Sequence, residues 1–260
     1  MKYVSLNILA DRFSNIEKIE ECHRKWSNRF EFFKKEVIRI DPCVLALQEV
    51  DRVEDIEKFM QDKGYNSFST ATNNKKGNVC LMLFIKKEIE KRVECISIAP
   101  KEYQNGHTKI LVGDLKISDK NVRVINVHLK ARLSCEDIRL AQLELIKEHF
   151  TENTIVLGDF NATPKSKTVE KFIEMNFKSV YPLDEKLITF SARVDHNTNL
   201  GELHYQDEMF DYIFYNSDIN VKSKIEIPTL DEAKSKFPKY GLPHLDFSPS
   251  DHLFIGFEIA

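Results

Sequence analysis

Glycine is scarce, at eight residues in a chain of 260. Neither GxGxxG nor GxxxxGK occurs. The glycine-rich turns that dinucleotide-binding and P-loop folds use to approach phosphate are therefore missing. Cysteine numbers five (Cys22, Cys43, Cys80, Cys95 and Cys135), scattered and without a CxxC pair. This argues against zinc and against a disulfide framework, and predicts reduced, structural thiols in an intracellular compartment. The longest apolar run, Val79 to Ile85, is far too short to cross a membrane. Positive charge is not in excess. A net charge of −3 weighs against holding a long nucleic acid by charge alone. The opening MKYVSLNILA reads as a first strand with no signal-peptide pattern before it, so the cytoplasm is the expected compartment.

Hydrophobic residues make up 42% of the chain, enough for one large core, and a single domain over residues 1–260 is expected. Apolar runs predict strands at Tyr3–Ile8, Val44–Leu47, Val79–Ile85, Ile110–Ile117, Val122–Leu129, Thr154–Leu157, Phe210–Tyr215, Asn220–Ile227 and Leu253–Ile259. Helical periodicity predicts helices at Ser27–Ile40, Glu54–Lys63, Ser134–Phe150 and Lys167–Met175. The third would open on a capping box, Ser134 to Asp137, and Pro42 would end the first at Asp41. Strands outnumber helices and helices still alternate with them. This predicts an α/β/β/α sandwich of four layers: two packed, mixed, mainly antiparallel sheets with helices outside. Asp231 to Pro249, with three prolines and a glycine, reads as a long loop.

The stretch "VINVHLKAR" runs from Val124 to Arg132. Strand side chains alternate, so Ile125, Val127, Leu129 and Ala131 would share one face, and Asn126, His128, Lys130 and Arg132 the other. Other apolar runs also finish in, or carry, groups suited to phosphate or metal chemistry. "VSLN" ends in Asn7, "VLALQE" in Gln48 and Glu49, and "IVLGDFN" in Asp159 and Asn161. "MFDYIF" contains Asp211, and "SPSDHLFIGF" opens with Ser250, Asp251 and His252. One such residue is usually a cap or turn. Six of them at strand ends suggest one shared sheet edge. Carboxylates and amides without a cysteine cluster favour Mg²⁺, with Mn²⁺ as substitute, over zinc. A phosphate ester needs such an ion, a base to aim water, and donors for developing charge.

"LQEV", "GDFN", "DYIFY" and "PSDH", in that order, resemble the endonuclease/exonuclease/phosphatase superfamily from "LNILA" to "SDHLFIGFEI". Trp26 and Arg29 match the W-x-x-R of the branch holding the carbon-catabolite-repressor deadenylases, nocturnins and angel proteins. "GLPHLDFSPSDH" is similar to that branch's closing element, with one extra residue. "HLKAR" with Arg139 and Gln142, and "ITFSAR" ending in Arg193, resemble the nocturnins. The resemblance implies roles. Glu49 would be the principal Mg²⁺ ligand, with Asn7 and Asp251 near the metal. Asp159 would aim or deprotonate the attacking water and Asn161 hold the phosphate. Asp211 would orient His252, which stabilises the charged transition state, and His128 would contact phosphoryl oxygens.

Two substrates follow from the resemblance: the 2′-phosphate of NADP(H), and the 3′ end of RNA, especially poly(A), in a 3′–5′ exoribonuclease. Lys130 and Arg132, with Arg193, tilt the expectation toward a terminal, doubly charged phosphate. RNA readers more often add exposed aromatics for stacking. The polar "TNNKKGN" loop (Thr72–Asn78) and Phe190 are weaker candidates for contacts to ribose or base. A catalytically silent binding module of the same fold would show gaps at Glu49, Asp159, Asp211 or His252, and all four are present. No obligate protein partner is evident.

Overall fold

The computed structural model describes residues 1–15, 19–70, 79–117, 120–194, 204–216, 219–238 and 241–259, with backbone alone for 193, 194 and 204–206. In chain order the elements are β1 (Lys2–Asn7), α1 (Glu21–Arg24), α2 (Trp26–Ile40), β2 (Val44–Val50), α3 (Val53–Asp62), β3 (Tyr65–Ser69), β4 (Cys80–Lys86) and β5 (Glu90–Ile98). There follow β6 (Thr108–Ile117), β7 (Lys120–His128), α4 (Glu136–Lys147), β8 (Thr154–Asp159), α5 (Lys167–Glu174), β9 (Lys178–Ser179) and β10 (Phe190–Val194). The last are β11 (His204–Glu208), β12 (Asp211–Tyr215), β13 (Val221–Lys224), α6 (Leu230–Lys236) and β14 (Ile255–Ile259).

Two six-stranded sheets result, in the orders β13-β14-β1-β2-β4-β3 and β5-β6-β7-β8-β12-β9, with β10 and β11 as a separate ribbon. Each large sheet has one parallel pair, β1/β2 and β7/β8, and its other pairings are antiparallel. Between the sheets lies one apolar cluster that joins Tyr3, Ala46 and Leu83 to Val124, Ile155 and Ile213. Outside the first sheet, Phe33, Val37, Ile56 and Met60 of α2 and α3 cover Leu6, Leu45, Leu47 and Phe84. Outside the second, Leu143 and Ile146 of α4 and Phe172 of α5 join the larger cluster, with the Phe172 and Phe214 rings stacked at 4.6 Å. These are the four expected layers.

The parallel pairs explain why the site sits where it does. They bring the C-terminal ends of β1 and β2, and of β7 and β8, to one edge of each sheet. Asn7 pairs with Gln48, and His128 with Asp159. β12 runs the opposite way and begins beside Asp159, with Asp211 as its partner. Behind this edge the sheets are joined by a buried polar link. Gln48 Nε2 donates to Asn126 Oδ1 at 2.8 Å, and Asn126 Nδ2 donates to Leu47 O (3.1 Å) and Met82 O (2.9 Å). The polar side of β7 therefore faces the other sheet as far as Asn126.

Four expectations need correction. β7 ends at His128 and the chain then turns, with Arg132 at φ 80°. The expected capping box at Ser134 does not form: Leu133–Cys135 is a 3-10 turn, and α4 starts at Glu136 with no side-chain cap. Arg139 and Gln142 cause this, because Arg139 holds the carbonyls of Lys130, Arg132 and Leu133 against the helix while Gln142 Oε1 accepts from Lys130 N. The stretch read as a loop from Asp231 carries α6, closed by a reciprocal Thr229–Glu232 capping box. Asp41 does end α2, but in the left-handed region (φ 49°) rather than an extended one.

Candidate active site

Asn7 Nδ2 donates to Asp159 Oδ2 at 3.0 Å and to Glu49 Oε1 at 3.2 Å, so one amide gathers two carboxylates from facing sheets. Its Oδ1 accepts from Leu9 N at 3.1 Å. Glu49 reaches this point through a break in the β2/β4 register between Leu47 and Val50 and a positive φ of 55°. Leu9 (φ 57°) and Asn161 (φ 50°) share that left-handed conformation, which is costly for residues with a Cβ. Strain of this kind persists where surrounding contacts over-determine it. Here they do: Asn161 N donates to Asp159 Oδ1 at 2.8 Å and Asn161 Nδ2 to Leu129 O at 3.1 Å.

Gly158 explains the glycine of "GDFN". It stands at φ 142°, and a Cβ there would lie 2.0 Å from Val127 O. Only glycine lets β8 approach β7 this closely, which sets His128 beside Asp159.

His252 is anchored from the opposite side. Its Nδ1 lies 2.8 Å from Asp211 Oδ2, the oxygen that also accepts from Thr189 Oγ1 at 2.7 Å. Thr189 Oγ1 in turn accepts from the backbone N–H of Phe210 and of Asp211. Ser250 locks the strand-leading segment, donating to Asn7 O at 2.6 Å and accepting from His252 N at 3.1 Å. With Nδ1 on Asp211, the ring directs Nε2 at Asp159 Oδ2 (3.8 Å) and Asp251 Oδ1 (4.0 Å). His128 Nε2 lies 3.6 Å from Asp159 Oδ2 and 3.8 Å from Glu49 Oε1.

Burial works against a charge on His252, but Asp211 first, then Asp159 and Asp251, outweigh it and push its pKa up to about 10. Burial pushes Asp251 up to about 6, with the Glu49 charge adding to the effect and His252 opposing it. Burial also raises Asp211, while the His252 charge pulls the other way. The proton of this pair belongs on the ring, because three carboxylates surround the imidazole.

The donor set is one of hard oxygens, which fits a divalent cation such as Mg²⁺. Asp159, Asp211 and His252 offer three ligand atoms within 4.8 Å of one another. The imidazole is a poor ligand in that group, being charged and committed to Asp211. Glu49 and Asp251 offer the better oxygens, while the Asn7 amide turns its NH2 toward Glu49 and Asp159 and so orients carboxylates as it stands. The clustered carboxylates carry excess negative charge that a cation would offset.

The structure brings together Asn7, Glu49, His128, Asp159, Asn161, Asp211, Asp251 and His252. It does not bear out the alternating-face argument for Lys130 and Arg132, since the strand stops at His128. Neither side chain has a hydrogen bond or ion pair among the described residues. The side chain of Arg193, the Thr72–Asn78 loop and residues 195–203 lie outside what is described. Phe190 is half-buried, with its ring 4.8 Å from His252 and 5.3 Å from Phe210, so it is neither a core aromatic nor a free one. Thr189 and Arg29 were missed as parts of the site. Arg29 is fully buried and donates to Ile8 O, Leu9 O and Pro249 O, which ties the residues after Asn7 to those before Ser250. The W-x-x-R pattern was visible, but nothing local reveals which carbonyls that arginine holds.

A model of the endonuclease/exonuclease/phosphatase family matches residues 5–252. Nocturnin from Xenopus laevis is 25% identical over 256 residues, covering 88% of this chain and 63% of that protein. Carbon catabolite repressor protein 4 homolog 3 from Arabidopsis thaliana is 26% identical over 179 residues, covering 63% of this chain and 40% of that protein. The chain thus spans 40% to 63% of the length of these curated relatives. Among solved structures, the human nocturnin catalytic domain with bound sulfate superposes with a TM-score of 0.73 at 22% identity, covering 100% of this chain and 93% of that one. The 2′,3′-cyclic phosphatase ANGEL2, in complex with adenosine-2′,3′-vanadate, gives 0.79 at 18% identity, covering 99% and 94%. These two share the fold.

Proposed function

The chain belongs to the endonuclease/exonuclease/phosphatase family, and on that footing we propose that it is a divalent-metal phosphoesterase that removes the 2′-phosphate of NADP(H). One arrangement carries the phosphoesterase reading. Asp159 Oδ2 faces the Nε2 atoms of His128 (3.6 Å) and His252 (3.8 Å), and His252 is fixed from behind by Asp211. A carboxylate that can take a proton from water thus stands beside two imidazoles that can donate to phosphoryl oxygens.

Glu49 and Asp251, with Asn7 orienting Glu49, would hold Mg²⁺ (Mn²⁺ as substitute), which would neutralise phosphate oxygens. Asp159 accepts the proton of the attacking water, and the Asn161 N–H on its other oxygen keeps it oriented. One Asn161 amide hydrogen is spent on Leu129 O and the second is left for phosphate. His252 donates through Nε2 to the oxygen on which charge develops, and Asp211 keeps the ring charged and aimed. His128 contacts a second phosphoryl oxygen.

For the substrate, support comes from the similarity to nocturnins across 88% of the chain and from the adenosine-2′,3′-vanadate carried by ANGEL2, a phosphate mimic on an adenosine ribose. Phe13 is the one large aromatic among the exposed hydrophobics of the described residues, which suits a small nucleotide better than a stacked RNA strand. The RNA 3′ end is the second reading, favoured by the half-buried Phe190 ring beside His252, a single stacking face next to the reacting phosphate. The test is one assay of purified protein with Mg²⁺, NADP(H) and a short A-tailed RNA side by side. Phosphate released from NADP(H) with intact RNA supports the proposal. RNA shortening with NADP(H) untouched replaces it with the exoribonuclease, and neither reaction would leave a binding module.

A further inference from the structure

A second group of metal-capable side chains stands on other elements. Glu20, Cys22 and His23 lie at the start of α1, and one ligand atom from each falls within 4.8 Å of the others. Glu20 and Cys22 are exposed and His23 is half-buried. Cys22 Sγ already donates to Glu20 Oε2 at 3.6 Å. A fourth candidate comes from the far end of the chain: the His244 ring stacks on His23 with centroids 3.7 Å apart and planes at 30°.

His23 Nδ1 accepts from Leu245 N at 3.2 Å and His244 Nδ1 from Asp246 N at 3.3 Å, so each ring presents a lone pair. Burial, then His23, lowers the pKa of His244, against the pull of Asp246 and Glu20. Neutral imidazole is the form that binds metal. Histidines serving only to accept from two backbone N–H groups would account for the stack. They would not account for the Cys22 thiol and the Glu20 carboxylate within 4.8 Å of His23.

We propose that Glu20, Cys22, His23 and His244 bind a borderline transition-metal ion, Zn²⁺ foremost, at a site separate from the oxygen-lined active site. One thiolate, two imidazoles and one carboxylate make a tetrahedral set that Zn²⁺ takes and Mg²⁺ does not. Ligand atoms on one Zn²⁺ lie about 3.2–3.8 Å apart by the usual bond lengths. The cluster must therefore contract: the exposed Glu20 and Cys22 side chains can do so by changing rotamer, and the two rings, whose in-plane lone pairs run nearly parallel in the stack, must open to converge on one ion. Cys22 gives its proton to solvent on binding. Each histidine exchanges a long backbone hydrogen bond for the metal, because coordination uses the Nδ1 lone pair or moves the ring proton onto it. The ion would clip α1 to the segment from Gly241 to Pro249, which leads directly into Ser250, Asp251 and His252. The spacing gave no sign of this. The cysteine has no CxxC partner, and the second histidine is remote in sequence.

The test is a Co²⁺ titration of the reduced full chain with Mg²⁺ in excess. Thiolate bound to Co²⁺ gives a near-ultraviolet charge-transfer band that an oxygen and imidazole site cannot produce. The expected result is saturation at one Co²⁺ per chain, displacement by Zn²⁺, loss of the band in Cys22→Ser, and affinity at least about tenfold weaker in His23→Ala and in His244→Ala. Glu49→Gln should leave the band unchanged. Cys22 is exposed, so its substitution leaves the fold intact. No band, a band that survives Cys22→Ser, or one indifferent to His244→Ala overturns the proposal.

Discussion

Asp211 and His252 are joined through a single carboxylate oxygen: Oδ2 takes the His252 Nδ1 contact at 2.8 Å and the Thr189 hydroxyl at 2.7 Å, while Oδ1 is buried with no partner among the described residues. The residue therefore holds the ring in position and favours its charged form. Asp211→Asn keeps the shape and removes the charge. Turnover is expected to fall by about 10²–10³-fold, the usual scale for losing one stabilising donor at a developing anion. KM should change little and the circular dichroism spectrum not at all. Turnover within a few-fold of the parent would show that the Asp211 charge is not used.

Metal removal is the second prediction. Chelation should abolish turnover, and added Mg²⁺ should restore it. Mg²⁺ should also raise the melting temperature. Binding at 100 times Kd stabilises by about 2.7 kcal/mol. Glu49→Gln should lose turnover and most of this Mg²⁺-induced shift. Without metal it should melt no lower than the parent, because Glu49 already disfavours the charge on Asp251. An undiminished Mg²⁺ shift in Glu49→Gln would remove Glu49 from the ligand set.

The strand-end residues were legible because a sheet edge collects whatever its strands end in, and period-two patterning locates those ends. β5 was not, since its solvent side carries Glu90, Arg92 and Glu94, and an edge strand with one wet face looks polar. α6 was hidden among prolines, although Thr229 and Glu232 spell its start. The placement of Lys130 and Arg132 on the His128 face fails because alternation holds only while the strand lasts. It stops where Arg139 and Gln142, from the next helix, take over the backbone. Thr189 and Arg29 act on groups far away in sequence, and no local pattern encodes such contacts.

Gly158→Ala tests the close approach of β7 and β8. A Cβ 2.0 Å from Val127 O at φ 142° cannot be accommodated without moving a strand. A loss of more than about 3 kcal/mol is expected, at the high end for single substitutions, read as a drop in the denaturation midpoint. Turnover should fall even where the protein remains folded, because His128 and Asp159 pair across this junction. A midpoint within experimental error of the parent would mean the strands can separate cheaply.

Acid should loosen the segment before Ser250. His244 has a lowered pKa in the fold, from burial and then His23, so the unfolded chain binds its proton more readily. Stability from the neutral ring is complete above the unfolded value of about 6.5 and is lost as pH falls below it toward the folded value. Asp246 and Glu20 oppose this shift. Metal-free protein should show faster amide exchange at Leu245 and Asp246 as pH drops from 7 to 5, after correction for intrinsic rates. His244→Gln, which does not titrate, should flatten that dependence. The same pH dependence in the variant would move the effect to another group.

Arg132 is proposed to contact the substrate phosphate. It is exposed, lies at φ 80° four residues beyond His128, and its side chain has no hydrogen-bond or ion-pair partner among the described residues, so the guanidinium is uncommitted and can fork onto a phosphate within its reach. Arg132→Ala should lower kcat/KM for NADP(H) by at least about tenfold, worth about 1.4 kcal/mol, and lower cleavage of a generic phosphodiester less than about threefold. Arg132→Gly separates charge from backbone, because glycine takes φ 80° without strain. Equal losses in the two variants assign the effect to the guanidinium. A loss in Arg132→Ala that Arg132→Gly repairs assigns it to the turn. Equal losses on both substrates would leave Arg132 without a part in choosing between them.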